Sequence, residues 1–397
     1  MLPEGWRLSC LGDACSGALQ TGPFGSQLHA HEYTDHGYAV LMPKDLIHYR
    51  ANIETAAKIS REKSTELKRH HLMVGDILFS RRGDVARLAL IDERSEGSLC
   101  GTGCLRARPS SKAFSEFLFF FLQLPTIKSW LEHNAVGQTM PNMNTEILYE
   151  LPLILPPLPE QKKIAAILST WDRAIEGLGQ LLANSQQQKK ALMQQLLTGK
   201  KRLPGFEGEW VWKRSKEIFK SVSIKNNPTA CELLSVTQDQ GVVPRSSLER
   251  RVVMPDGSVQ GYKLVNPGNF IISLRSFQGG LEYSYYRGLV SPAYTVIDNK
   301  IEIENEFYKF YFKSYDFIGH LAVATIGIRD GKQISYEDFS FIKLPYPPLL
   351  EQQAIAAVLA TADKEITAFE SDLTRLRQEK KALMQQLLTG KRRVTVD

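Results

Sequence analysis

The 397-residue sequence predicts mixed α/β (α+β) globular domains joined by a long antiparallel two-helix coiled coil, related by an internal pseudo-twofold repeat. Three observations predict this class: one segment is written twice, that segment carries heptad spacing, and the remainder holds short strand-like runs. The repeat comes first, because overlooking it misreads the whole architecture. Residues 189–200, Lys-Lys-Ala-Leu-Met-Gln-Gln-Leu-Leu-Thr-Gly-Lys, recur unchanged as 380–391, an offset of 191. At the same offset 157–161 answers 348–352, and 164–168 answers 355–359; over 157–200 against 348–391, 25 of 44 positions are identical with no gap.

Taken in order, the elements are a globular domain over 1–155, a helix over 156–200, a second domain over 201–346 and a second helix over 347–393. The first domain holds strand-like runs at 38–42 and 76–80, bounded by Gly, Pro or Asp, and a helical run over 115–131. The first long helix opens at the proline cluster Leu155-Pro156-Pro157-Leu158-Pro159 and closes at Thr198-Gly199, with proline leading and glycine ending. Its apolar seam steps through Leu168, Trp171, Ile175, Leu178, Leu182, Leu192 and Leu196, interrupted by Ser185 and Lys189. The second domain has strand-like runs at 269–274 and 294–297 and a helical run over 307–314. The second long helix repeats the seam as Leu359, Ala362, Ile366, Phe369, Leu373, Leu376, Leu383 and Leu387, with Lys380 as the interruption. About forty residues at ~1.5 Å each span roughly 60 Å, too long for one amphipathic helix to bury its stripe alone. The natural partner is the other copy, and a pseudo-twofold axis within one chain makes the pair antiparallel. The two domains share an order of features with little identity: a Trp near the start (Trp6; Trp212), a Gly-initiated strand ending in Arg (75–81; 268–275), an aromatic-rich helix and the proline cluster.

Composition bounds the function. Lys plus Arg number 49 against 43 Asp plus Glu, and the resulting +6 permits an anionic partner without demanding one. The richest apolar run is only 117–124, and the first residues lack a signal peptide's basic and apolar regions, so a cytoplasmic protein is expected. Five scattered cysteines, an odd count, fit reduced thiols. Basic residues in turn-like contexts are the DNA-contact candidates: Arg50, Arg61, Lys63, Lys68, Arg69, Arg81, Arg82 and Arg87 in the first domain, and Arg245, Arg250, Arg251, Arg275, Arg287, Arg329 and Lys332 in the second. Interleaved with Gln, Asn, Ser and Tyr, they suit a surface where guanidinium reads guanine edges and amides read adenine, although most isolated surface Arg and Lys have no single function.

Motifs for catalysis are wanting. No G-x-x-x-x-G-K-[ST] loop is present, since Gly199-Lys200 is followed by Lys201, and no G-x-G-x-x-G turn appears. Leu344-Pro345-Tyr346-Pro347-Pro348 lacks the leading Asn or Asp of an amino-methyltransferase motif. Cys100 and Cys104, and the group His29, His31 and His36, lack the second close pair that a zinc set requires, so no metal is expected. Glu160 and Glu351 in the first helical turns are accounted for as partners of the helix dipole.

Two variable domains, each followed by a Pro-led helix reading Pro156-Pro157-Leu158-Pro159-Glu160-Gln161-Lys162-Lys163-Ile164-Ala165 or Pro347-Pro348-Leu349-Leu350-Glu351-Gln352-Gln353-Ala354-Ile355-Ala356, resemble the specificity (S) subunit of type I restriction–modification systems. Residues 21–28 (Thr-Gly-Pro-Phe-Gly-Ser-Gln-Leu), 74–78 (Val-Gly-Asp-Ile-Leu) and 289–294 (Leu-Val-Ser-Pro-Ala-Tyr) are similar to the family's target-recognition domains. The resemblance implies a non-catalytic chain whose two domains each read one half of an asymmetric bipartite site in double-stranded DNA. It implies that the helices set half-site spacing and bind two methyltransferase subunits. S-adenosylmethionine, ATP and Mg are then expected on partner subunits, the methyltransferase and the restriction translocase, with no cofactor on this chain. Two other readings remain: a coiled-coil protein–protein adaptor, distinguished by weak salt dependence, and a stand-alone nuclease, which would need a carboxylate metal site.

Overall fold

The computed structural model describes residues 2–137, 141–225, 231–238, 240–248, 261–274, 276–324 and 334–396. Its contacts gather into two compact units that do not follow chain order: 1–178 with 372–397, and 179–371. Each unit holds one globular domain, the first half of one long helix and the second half of the other. The reason is the antiparallel pairing of two helices, Leu158–Leu196 and Leu349–Leu387, each 39 residues long.

In the first unit, Ile164, Ala165 and Leu168 from the start of the first long helix share a core with Met384, Leu387 and Leu388 from the end of the second. In the second unit the ends exchange roles, Leu196 and Leu197 packing with Ile355, Ala356 and Leu359. Seam residues are the less exposed ones throughout, as heptad spacing requires, and Leu168 and Leu359 are fully buried. The lysines that interrupt the seam are neutralised in matching fashion. Lys380 Nζ lies 2.5 Å from Asp172 and over the Phe120 ring, while Lys189 pairs with Asp363 and lies over Phe310. Both helices end at a glycine in the left-handed region, Gly199 (φ 69°) and Gly390 (φ 73°), as a terminal turn that reverses the chain demands.

The first globular domain is built on a six-stranded sheet in which Cys104–Ala107 lies between Leu19–Thr21 and Ile77–Ser80, antiparallel to both. Strands Leu88–Leu90, Arg50–Ala51 and Leu46–Ile47 extend it. The helical run over 115–131 is two helices, Ser115–Phe121 and Pro125–Asn134, because Leu124 before the proline takes extended backbone. Their apolar faces, including Phe117, Phe121 and Leu131, fill the core beneath the sheet.

In the second domain Phe219–Val222, Thr295–Asn299, Phe270–Ile272 and Glu282–Tyr283 form a four-stranded sheet in that order. Helices Asn305–Tyr311 and Tyr315–Ala324 pack below it through an aromatic core of Phe219, Phe270, Phe307, Tyr308, Tyr311, Phe312 and Phe317. Each domain is tied off by a two-stranded ribbon joining its first strand to the strand before its long helix: Arg7–Cys10 with Pro152–Leu155, and Val211–Arg214 with Lys343–Tyr346.

Candidate nucleic-acid interface

The first domain presents a basic turn held from below. Arg106, on the strand Cys104–Ala107 and 9% exposed, donates to the carbonyls of Arg69 (3.2 Å) and His71 (3.3 Å). Arg108 makes two 2.7 Å bonds to the buried Asp76 carboxylate and a 3.2 Å bond to the His71 carbonyl. These bonds fix the 3₁₀ turn Lys68–His70 by gripping the carbonyl of Arg69 within it and that of His71 just after it. The buried His70 ring sits between Gln20 (3.4 Å) and Arg69 Nε (3.0 Å); burial first, and the neighbouring Arg69 charge second, push its pKa down to about 4. His70 is therefore a neutral acceptor that orients Arg69.

Arg69 also donates to Gln27 Oε1 at 3.3 Å, so the structure joins the loop 21–28 to the basic turn. That loop is pinned at Gly22, where a Cβ would meet the Gly101 carbonyl oxygen at 1.8 Å, and its Phe24 is 55% exposed beside the basic turn. A preorganised patch of the half-buried Gln27 and the exposed Lys68 and Arg69 results, in which the Gln27 amide oxygen is held by the Phe24 N–H and Arg69, and Arg69 by His70. Such a patch can bind phosphate or the polar edge of a base.

The other candidates divide. Arg61 and Arg82 are exposed like Lys68 and Arg69, and none of the four has an ion-pair partner among the described residues. Lys63 is held by Glu32 (2.7 Å) and Glu66 (3.0 Å), and Arg87 by the Pro43 carbonyl (3.0 Å) and Asp84 (3.5 Å). Arg81 is half-buried, its Nε without a hydrogen-bond partner, and Arg50 forms a two-bond pair with Glu176 on the long helix (2.9 and 2.7 Å). In the second domain Arg245 stands in a 3₁₀ turn with a buried, unpartnered Nη1, and Arg287 is exposed after the exposed Tyr285 and Tyr286. Arg250, Arg251, Arg275, Arg329 and Lys332 lie outside the described residues.

Residues that sequence reasoning missed hold each domain on its helix. In the first unit Trp6 Nε1 donates to Glu160 at 3.1 Å, and Arg393 pairs with the same carboxylate and donates to the Glu4 carbonyl. In the second, Trp210 Nε1 donates to Glu351 at 3.0 Å, and Arg202 grips that carboxylate with bonds of 2.5 and 2.6 Å. Glu160 and Glu351 are thus buried ion-pair partners, which corrects their assignment to the helix dipole; the carboxylate is held by charge and two donors rather than by the helix end. Trp210 likewise replaces Trp212 as the counterpart of Trp6, since Trp212 is 46% exposed on the ribbon.

The adjacent glutamine completes each joint. Gln161 accepts from the Phe114 N–H and donates to the Pro156 carbonyl, both at 2.8 Å; Gln352 accepts from the Glu304 N–H (2.9 Å) and donates to the Pro347 carbonyl (2.8 Å). Phe114 and Glu304 each cap a domain helix, so one side chain links the start of a long helix to the start of a short one. A signal existed: Arg202 and Arg393 stand at the repeat offset just beyond the matched segment.

Among the described residues no group of three or more His, Cys, Asp or Glu side chains could hold a metal ion. Cys100 and Cys104 are buried in the first domain, and burial pushes the Cys100 thiol up to about 12. No helix among the described residues is long and apolar enough to cross a membrane.

The family model for the type I restriction modification DNA specificity domain matches residues 3–184 and again 208–375. A Methanocaldococcus jannaschii protein named for the specificity subunit of the type I restriction enzyme MjaX is 26% identical over 99% of this chain and 95% of its own length. The MjaVIII specificity subunit of the same organism is 26% identical over 70% of each chain. Among solved structures, the S subunit of a type I restriction-modification system from M. genitalium superposes with a TM-score of 0.61 at 14% identity, covering 98% of both chains. The HsdS subunit from Thermoanaerobacter tengcongensis gives 0.51 at 21% identity, over 99% of this chain and 98% of that one.

Proposed function

The chain belongs to the type I restriction–modification DNA specificity family and is a DNA-specificity subunit; on that premise we propose how its two halves divide the work. Each globular domain reads one half of an asymmetric bipartite site in double-stranded DNA. The observation that carries this reading is duplication of the scaffold without duplication of the surface. The joints Trp6–Glu160–Arg393 and Trp210–Glu351–Arg202 repeat with the same donors and acceptor, while the two globular domains they hold share little sequence identity. Two equal scaffolds with different faces suit two different half-sites.

In the first domain, Gln27, Lys68 and Arg69 are the contacts favoured by geometry, with Arg61 and Arg82 as further phosphate ligands. Lys63 and Arg87 act instead as internal partners of Glu32, Glu66 and Asp84. In the second domain Arg287 and Arg245 are the described candidates. The chain itself is non-catalytic in this reading. Two methyltransferase subunits bound along the paired helices supply adenosylmethionine chemistry, and a restriction translocase supplies ATP- and Mg-dependent steps. The absence of any phosphate-binding loop in this sequence supports that division.

The test is binding by the complex with its methyltransferase partner. Arg69→Ala is expected to lower affinity by about 1–3 kcal/mol if it contacts a base edge, and to reduce the salt slope by about one if it contacts phosphate. Affinity independent of both Arg69 and salt would contradict the placement and favour a protein adaptor.

A further inference from the structure

The turn between strands Leu46–Ile47 and Arg50–Ala51 is built in an unusual way. Its two central residues, His48 (φ 49°) and Tyr49 (φ 65°), both occupy the left-handed region. Hairpins of this length favour that geometry, but Asn-Gly or Asp-Gly normally provides it. Side chains with a full Cβ are strained there, and strain of this kind persists only where the surroundings impose it. The surroundings here are the domain's own helix Ser115–Phe121 and, beyond it, the long helix Leu158–Leu196. Tyr49 meets Phe119 edge to face at a centroid distance of 6.2 Å, and Arg50, the next residue, makes its two-bond pair with Glu176. Beneath them lies a groove of about 750 Å³, lined also by Asp172, Arg173 and Lys380.

We propose that this hairpin tip, seated on its own domain by Tyr49, is a brace that holds the first domain at a set angle on the long helix through the Arg50–Glu176 pair. It rests on the reading of that domain as a half-site reader, because the angle places its DNA-contacting face. The domain is anchored on the first turn of the helix by Trp6, Gln161 and Arg393. Glu176 stands sixteen residues beyond Glu160, roughly 24 Å along the helix axis. One anchor is a pivot, whereas two anchors that far apart fix an orientation. The Arg50 and Glu176 side chains are 63% and 57% exposed, so the pair adds little to folding stability and acts on orientation instead. The pairing raises the Arg50 pKa and lowers that of Glu176, as a close contact between them requires. The second long helix carries Thr367 at the position equivalent to Glu176, so this ion pair belongs to the first copy only.

The test uses the full complex with its methyltransferase subunits and duplexes carrying both half-sites at the native spacing, one base pair longer and one shorter. Wild type should prefer the native spacing. Arg50→Ala should reduce that preference about two- to fivefold with an unchanged salt slope, and the exchange Arg50→Glu with Glu176→Arg should restore it. His48→Asn with Tyr49→Gly keeps the turn, removes the Tyr49 contact and should also relax the preference. A wild-type spacing profile in Arg50→Ala overturns the brace and leaves the half-site reading standing. A salt slope lowered by about one makes Arg50 a phosphate ligand and likewise overturns it. A wild-type complex indifferent to split sites removes both.

Discussion

At the scale of single residues, the most consequential side chains are two buried carboxylates. Glu351 is fully buried and satisfied by Arg202 and Trp210, so Glu351→Ala leaves a guanidinium and an indole N–H without their partner. Chemical denaturation should show a loss of about 3–5 kcal/mol, the range for breaking a buried pair from one side. His70 gives a pH dependence whose sign follows from its depressed pKa. Above about pH 6.5 the ring is neutral in folded and unfolded chain alike, and stability is complete. As pH falls from there towards 4, the unfolded chain takes up a proton that the folded chain refuses, so stability declines, by on the order of 3 kcal/mol in all. Melting temperatures measured across this window should fall more steeply for wild type than for His70→Gln. Little of this was legible in sequence. Glu160 and Glu351 could be placed in a first helical turn, but their partners come from the far ends of each unit. His70 stands in a basic stretch of the sequence where nothing announces its burial, because a contact with Gln20, 50 positions away, has no local signature.

At the scale of elements, the long helices were legible almost completely, since proline start, glycine end and heptad seam are local signals. The seam lysines were read correctly as interruptions; that each meets an aspartate of the other helix requires the antiparallel register. Leu168→Ala should cost about 2–5 kcal/mol, because the site is fully buried and shared with the opposite helix. Gln161→Ala, which strands an N–H and a carbonyl, should cost about 1–3 kcal/mol. Both are checked by thermal unfolding of the intact chain. The helical run over 115–131 failed at Pro125, a residue whose effect on Leu124 was available in principle. Short strands such as Leu46–Ile47 and Arg50–Ala51 were missed, because two residues and a turn without glycine carry no period.

At the scale of the whole molecule, net charge was uninformative because it is a sum over the whole chain: basic residues held in neutral internal pairs, such as Lys380–Asp172 and Lys63–Glu32, are counted alike with exposed ones, so the total of +6 does not locate a basic surface. The repeat foretold two domains and two helices. It did not foretell that the compact units would each combine halves of both helices, a property of antiparallel packing. The candidate DNA-contact residues were the least legible part, because exposed arginines look alike in sequence and only the structure shows which of them, such as Arg87, already have internal partners. If each domain reads its own half-site, replacing 1–155 by the corresponding domain of a relative should change one half of the recognised sequence and leave the other intact. The most direct measurement is a map of methylated adenines in cells expressing the chain with its methyltransferase partner, before and after that exchange. We expect methylation at one asymmetric split sequence and a change confined to one half; methylation at no split sequence, or a change in both halves, would contradict the division of labour between the two domains.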